Sequence, residues 1–152
     1  MFVCHGNICR SPMAEFIMKK LVEDAGLSGE FDIRSSATSC EEVGNGIYPS
    51  AERILHRHAV PCEGHVARRF TVSDYDKSDF IVVMEDYNLR NLFRIIGRDS
   101  DGKVWKLLDF LSPVPENCTG DDISDPWYHG DFSMTYSEIE RGCKALLHYL
   151  GY

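Results

Sequence analysis

The sequence predicts an α/β fold: one doubly wound domain over residues 1–152, with a central four-stranded parallel sheet and helices on both faces. Two observations predict it. Short apolar segments alternate with segments of helical period in the order β-α-β-α-β-α-β-α, and such alternation builds parallel sheets. One strand segment, Phe80-Ile-Val-Val-Met84, is apolar without interruption, the pattern of a strand covered on both faces. A chain of 152 residues is long enough to bury one core of this kind.

The elements follow in order. Residues 1–3 end a buried first strand. Ser11-Pro12 reads as a helix start, with Ser11 as N-cap and Pro12 at the first helical position. Ala14, Ile17, Met18, Leu21, Val22 and Ala25 recur at the spacing of one helix face, and Gly26 stands where a C-terminal cap belongs. Residues 31–35 form a second strand, and residues 50–57 a second helix with Ala51, Ile54 and Leu55 inward. Residues 66–69 lead to an N-cap turn at 71–74. After the strand at 80–84, Asp86 caps a helix carrying Leu89, Leu92, Phe93 and Ile96 and ended by Gly97. Residues 104–108 are the fourth strand. Tyr136, Ile139, Cys143, Leu146, Leu147 and Leu150 mark a final helix, with Thr135-x-x-Glu138 as its capping box. The stretch 109–132 has no periodicity and holds three prolines, two glycines and five aspartates. A loop of that length in a compact domain points to function.

Composition excludes several classes. A net charge of −8 argues against a broad basic surface and therefore against nucleic acid as a partner. It leaves room for a small anion site, which needs only aimed amides and one arginine. The longest apolar run is five residues, too short to span a membrane, and no basic leader precedes the first strand, so a cytoplasmic protein is expected. Six irregularly spaced cysteines read as reduced thiols rather than a secreted disulfide scaffold. No C-x2-C pair is present, and neither a metal nor a cofactor is expected.

The chemistry concentrates in Cys4-His-Gly-Asn-Ile-Cys-Arg-Ser-Pro12. In an open parallel sheet, ligands bind beyond the carboxyl ends of the strands. Residues 4–10 form the loop at that edge, and the next helix presents free N–H groups and a partial positive charge to it. Gly6 allows a positive φ and close backbone approach. Arg10 adds a planar fork able to hold two phosphate oxygens. An arginine and a ring of amides around the sulfur of Cys4 favour its thiolate, the attacking form. The loop therefore reads as a phosphate trap with a nucleophile in its floor. Buried filler is the competing reading for Cys4.

This stretch resembles the signature loop of the low-molecular-weight protein tyrosine phosphatases, C-x-G-N-x-C-R-S-P. Ser35-Ser-Ala-Thr-Ser39, Gly44-Asn45, His65-Val-Ala-Arg68, Met84-Glu-Asp-Tyr-Asn-Leu-Arg90 and Asp125-Pro126 follow in the family's order. The resemblance covers essentially the whole chain and implies that family's doubly wound fold and a metal-free phosphatase. It implies that Cys4 attacks phosphorus to form a phosphocysteine and that Arg10 holds the equatorial oxygens. Asn7 then braces the loop, with Ser35 in support, and Ser11 bonds the sulfur. His5, Gly6, Ile8 and Cys9 complete the phosphate-binding loop, His5 at its rim. Cys9 resembles the second loop cysteine that forms a reversible disulfide with the nucleophile and protects it; packing under the loop is the alternative.

Expulsion of a phenoxide calls for an acid. By residue chemistry alone Asp125-Pro126 is a turn; the resemblance makes Asp125 the general acid, and the group that later activates water. Trp127 and Tyr128 would wall the cleft. Where relatives often carry two tyrosines, this chain has Trp-Tyr. Cys40 and Glu41 also depart from the family pattern, and Glu41 would make the rim acidic. The first strand is short for the family, so residues are expected to be missing ahead of Met1. Arsenate reductases share the loop but relay a disulfide through further cysteines, and residues 82–89 carry none. Protein arginine phosphatases carry threonine where this chain has Ile8. A non-catalytic phosphate-binding module would be expected to lose Cys4, Arg10 or Asp125. The expected partner is a phosphotyrosine protein or peptide, with phosphate or another oxyanion as ligand.

Overall fold

The computed structural model describes residues 1–152. The elements are β1 (Phe2–Cys4), α1 (Arg10–Asp24), β2 (Ser35–Ala37), α2 (Pro49–Arg57), α3 (Val72–Lys77), β3 (Ile81–Val83), α4 (Asp86–Ile96) and β4 (Val104–Lys106). A 3₁₀ segment (Leu107–Leu111), α5 (Pro126–His129) and α6 (Phe132–Tyr149) complete the chain. The sheet order is β2-β1-β3-β4, and all pairs are parallel, with Cys4 opposite Ala37, Val3 opposite Val83 and Val83 opposite Lys106. The expected four-stranded, doubly wound α/β fold is therefore present. The order reverses between β1 and β3, so the loops after these strands diverge and open a crevice at the carboxyl edge.

Every residue of the four strands is buried. Their alternation splits the core in two, as a period of two demands. Phe2, Cys4 and Val82 join α1, α2 and α6 in the larger apolar cluster. Val3, Ile81 and Val83 face Phe70, Tyr75 and Leu92 in the smaller one. The α1 stripe packs as its spacing predicts, and its end is a Schellman motif. The Gly26 amide bonds the Glu23 carbonyl and the Leu27 amide the Val22 carbonyl, with Gly26 at φ +73°. No helix is long and apolar enough to cross a membrane.

Several boundaries differ from the sequence expectation, each for a local reason. Helix α1 begins at Arg10 with Cys9 as N-cap; Ser11 lies inside the helix and its hydroxyl is committed to the Cys4 sulfur. Pro12 is then the third helical residue, still among the positions whose N–H has no helical acceptor. Strand β2 lies at Ser35–Ala37 rather than 31–35. Its polar sequence hides it, because the two serines serve the site rather than an apolar face. The N-cap of α4 is Glu85, not Asp86. Strand β4 stops at Lys106, where Asp109 Oδ2 accepts from the Lys106 amide at 2.7 Å and turns the chain into the 3₁₀ segment. Helix α6 starts at Phe132, capped by Asp131, whose Oδ1 accepts from the Met134 amide at 2.9 Å. Thr135 and Glu138 therefore do not cap it. The expected turn at 71–74 is a full capping box opening α3.

Candidate active site

The loop between β1 and α1 turns around a sulfur. Cys4 ends β1 and is 3 % exposed. Its Sγ lies 3.0 Å from Ser11 Oγ and accepts the Asn7 amide at 3.3 Å. The loop carbonyls point away from this centre. Those of Cys4, His5, Ile8 and Cys9 accept from Thr38, Ser39, Tyr48 and Met13 amides, and that of Asn7 from His65 Nε2 at 2.7 Å. The amides of His5, Gly6, Ile8, Cys9 and Arg10 donate to no protein acceptor. With carbonyls out and amides in, at the N-terminus of a 15-residue helix, the loop is an anion-binding nest.

Asn7 holds that shape. It is fully buried and adopts φ +60°, a left-handed conformation that asparagine tolerates better than most residues. The left-handed residue of the loop is therefore Asn7 and not Gly6. A Cβ on Gly6 would meet Glu42 Cγ at 3.3 Å, so its smallness serves close packing. Asn7 Nδ2 donates to Ser11 Oγ at 2.8 Å and Ser35 Oγ at 2.9 Å, and its Oδ1 accepts from the Arg68 amide at 3.2 Å. Ser35 in turn donates to Glu15. Replacing Asn7 by alanine removes three hydrogen bonds, each contributing about 0.5–1.5 kcal/mol, and leaves the Arg68 amide without its acceptor, while Ser11 and Ser35 keep Cys4 and Glu15. The expected result is a loss of about 2–4 kcal/mol in unfolding stability and at least tenfold lower turnover, measured by denaturant titration and aryl phosphate hydrolysis.

Arg10 is 4 % exposed and gripped by acids. Nη1 donates to Glu85 Oε2 and, at 3.3 Å, to the Ile123 carbonyl; Nη2 donates to Asp125 Oδ2 at 3.1 Å. Burial works against its charge, but Cys4, Glu85 and Asp125 outweigh burial and raise its pKa. Cys9 differs from Cys4 in its setting. Burial first, then the neighbouring Cys4, pushes the Cys9 thiol up to about 12, so it stays protonated at neutral pH. Both are free thiols.

Asp125 reaches this centre because four consecutive residues are tethered. Lys106, 3 % exposed, bonds Asp122 at 2.6 Å and Asp86 at 3.0 Å. The Ile123 amide donates to the Met84 carbonyl at 2.8 Å. Glu138 accepts from both the amide and the hydroxyl of Ser124 at 2.8 Å, and Thr135 Oγ1 donates to the Ser124 carbonyl at 3.1 Å. Asp125 then caps α5, accepting from the Trp127 amide at 3.0 Å. Thr135 and Glu138, expected as a capping box, thus anchor the acid's loop instead.

The rim is aromatic. Trp127 sits 5.2 Å from the Tyr48 ring and remains 60 % exposed, while Tyr128 stands out at 86 %. Glu41 bonds His5 Nε2 at 3.0 Å, so the rim acid is partnered by the rim histidine. Of the residues singled out from sequence, Cys4, Asn7, Ser11 and Ser35 converge on one point, and Arg10 and Asp125 on an adjoining one. Sequence reasoning missed Glu85, Tyr48, Glu15 and His65. Glu85 had a usable signal, since it lies just beyond the carboxyl end of β3.

The chain matches the low molecular weight phosphotyrosine protein phosphatase family over residues 1–151. The chain belongs to that family. Membership makes it a protein-tyrosine phosphatase, and a phosphocysteine mechanism is general to that family. The human low molecular weight phosphotyrosine protein phosphatase is 37 % identical over 150 residues, covering 97 % of this chain and 92 % of the relative. The crystal structure of YfkJ from Bacillus subtilis superposes on the phosphatase with a TM-score of 0.89 at 33 % identity, covering 98 % of this chain and 91 % of that one. The structure of Vibrio vulnificus Wzb in complex with benzylphosphonate gives a TM-score of 0.80 at 25 % identity, covering 95 % and 93 %.

Proposed function

We propose that residues 1–152 act as one catalytic unit in which Cys4, Arg10 and Asp125 hydrolyse phosphotyrosine in two steps. In the first, Cys4 Sγ attacks phosphorus, the bond to the phenolic oxygen breaks, and Asp125 gives that oxygen its proton. Arg10 and the free amides of residues 5, 6 and 8–10 hold the equatorial oxygens, where charge gathers in the transition state. In the second step water attacks the phosphocysteine, Asp125 takes a proton from it, and the sulfur leaves as thiolate while Ser11 donates to it. Arg10 and the amides supply the positive field, so neither step calls for a metal. Ile8 and the Tyr48–Trp127 pair wall the cleft for the substrate ring. The benzylphosphonate bound by Vibrio vulnificus Wzb supports an aryl-side oxyanion as the ligand here. Six free cysteines fit a reducing cytoplasm as the working compartment.

The single observation that carries this reading is the meeting of Arg10 with Asp125, six residues from the nucleophile in one case and far along the chain in the other. Its test is turnover with a chelator present. Phosphotyrosine peptides and p-nitrophenyl phosphate are expected to be hydrolysed at an undiminished rate, with phosphoserine and phosphoarginine peptides at least roughly a hundredfold slower because the leaving group or cleft shape is wrong. Phosphoarginine hydrolysis equal to phosphotyrosine hydrolysis would overturn the substrate assignment.

A further inference from the structure

Beside the catalytic loop lies a second cavity, of about 580 Å³, and His5 is part of its wall. It opens between the end of β2, the segment before α3 and one face of α4, from Tyr87 to Ile95. Its lining contains Arg69 and Arg94 and not one carboxylate, in a protein with 24 acidic and 16 basic residues. Neither arginine is paired with an acid: Arg94 bonds only the Asn91 amide oxygen, at 3.3 Å, and Arg69 makes no side-chain hydrogen bond or ion pair. Asp74, near this wall, is already bound by Arg68 through two bonds of 2.9 Å. Glu41 is bound by the other ring nitrogen of His5.

The floor is as telling as the arginines. Thr38 is 6 % exposed, and its Oγ1 has no hydrogen-bond partner; the same holds for His5 Nδ1. Both residues line the cavity. Buried polar atoms without a partner are uncommon and costly. Here the free Thr38 hydroxyl stands beside two guanidinium groups that no acid pairs. The backbone of Arg69 is fixed by a parallel bridge to Ala37, so its side chain springs from a rigid base. Tyr87 packs its ring 5.7 Å from His5, between this cavity and the catalytic loop's rim.

We propose that this cavity is an anion subsite that receives a second negatively charged group of the substrate, a phosphate or carboxylate on a residue near the phosphotyrosine. The proposal rests on the phosphotyrosine reading above and narrows it to acidic or multiply phosphorylated sequences. Arg69 and Arg94 supply the charge, Thr38 and Asn91 supply neutral donors, and the ring of Tyr87 spaces the two anions. An exposed arginine contributes little alone, but two acting on one oxyanion with the buried Thr38 hydroxyl behind them contribute more.

The test compares kcat/KM for a neutral phosphotyrosine peptide with peptides carrying glutamate or a second phosphotyrosine at each flanking position. At least one anionic peptide is expected to be preferred roughly tenfold. In the Arg69→Ala/Arg94→Ala variant that preference should fall to within about twofold, while p-nitrophenyl phosphate and the neutral peptide keep their rates. Thr38→Val should reduce the preference in the same peptide. Equal rates for neutral and anionic peptides in the unaltered enzyme, or a preference that survives loss of both arginines, would overturn the subsite. If inorganic sulfate instead changes p-nitrophenyl phosphate turnover noncompetitively, in the unaltered enzyme only and with no peptide preference, the occupant is a free anion and the substrate assignment fails. Failure to hydrolyse even the neutral phosphotyrosine peptide would count against the function itself, not against this cavity.

Discussion

Replacing Cys4 by serine is expected to abolish turnover, a fall of roughly 10⁴-fold or more in kcat, while inorganic phosphate still binds. The geometry separates these two functions. Binding comes from the inward amides and Arg10, none of which the substitution touches. The nest is held by Asn7 through Ser11, Ser35 and Arg68, and by carbonyls bonded outward. A serine oxygen keeps the contacts to Ser11 and the Asn7 amide but is a far weaker nucleophile than a sulfur in this setting. Calorimetry with phosphate alongside p-nitrophenyl phosphate kinetics reads both sides of this expectation. Retained turnover in Cys4→Ser would show that another group attacks phosphorus.

The second large effect belongs to Asp125. Asparagine at this position keeps an oxygen for the Trp127 amide, so α5 stays capped; it gives up the bond to Arg10 Nη2, and Glu85 and the Ile123 carbonyl still hold that arginine through Nη1. It loses the transferable proton. Turnover is expected to fall about 10²- to 10⁴-fold, the range for a lost general acid or base, and unevenly. A p-nitrophenolate leaves readily without help, whereas the phenolate of phosphotyrosine does not. The loss should therefore grow as the leaving group becomes more basic, measured as kcat/KM across a series of substituted phenyl phosphates. An identical loss for every member of the series would assign Asp125 a binding role instead.

Much of this was legible in the sequence, for identifiable reasons. The phosphate loop is contiguous, so Cys4, Asn7, Arg10 and Ser11 could be read as a unit from spacing and helix-start chemistry. The family resemblance implies that Ser11 bonds the sulfur, whereas the local pattern makes it a helix cap. A hydroxyl cannot serve both, and the fold gave it to Cys4. The same competition misled at Thr135-x-x-Glu138, where a pattern that fits a capping box instead clamps Ser124 beside the acid. Strand β2 was displaced because Ser35 and Ser36 are buried for hydrogen bonding and carry no apolar signal. Asp125 could not be placed from residue chemistry alone. Its position depends on Lys106, Met84, Glu138 and Arg10, from four separate parts of the chain. The cavity that holds Arg69 and Arg94 becomes visible only when the strand order sets its walls side by side.

The most direct test of the account is to trap the intermediate. In Asp125→Asn, water attack should also lose its base, so a labelled aryl phosphate mixed with enzyme and quenched in milliseconds is expected to leave a phosphoryl group on the chain. Digestion and mass spectrometry should find it on the sulfur of Cys4, with leaving-group phenol released in a matching burst. Label on Ser11 or another residue, or continued turnover with no covalent phosphate at any time, would contradict the mechanism at its centre.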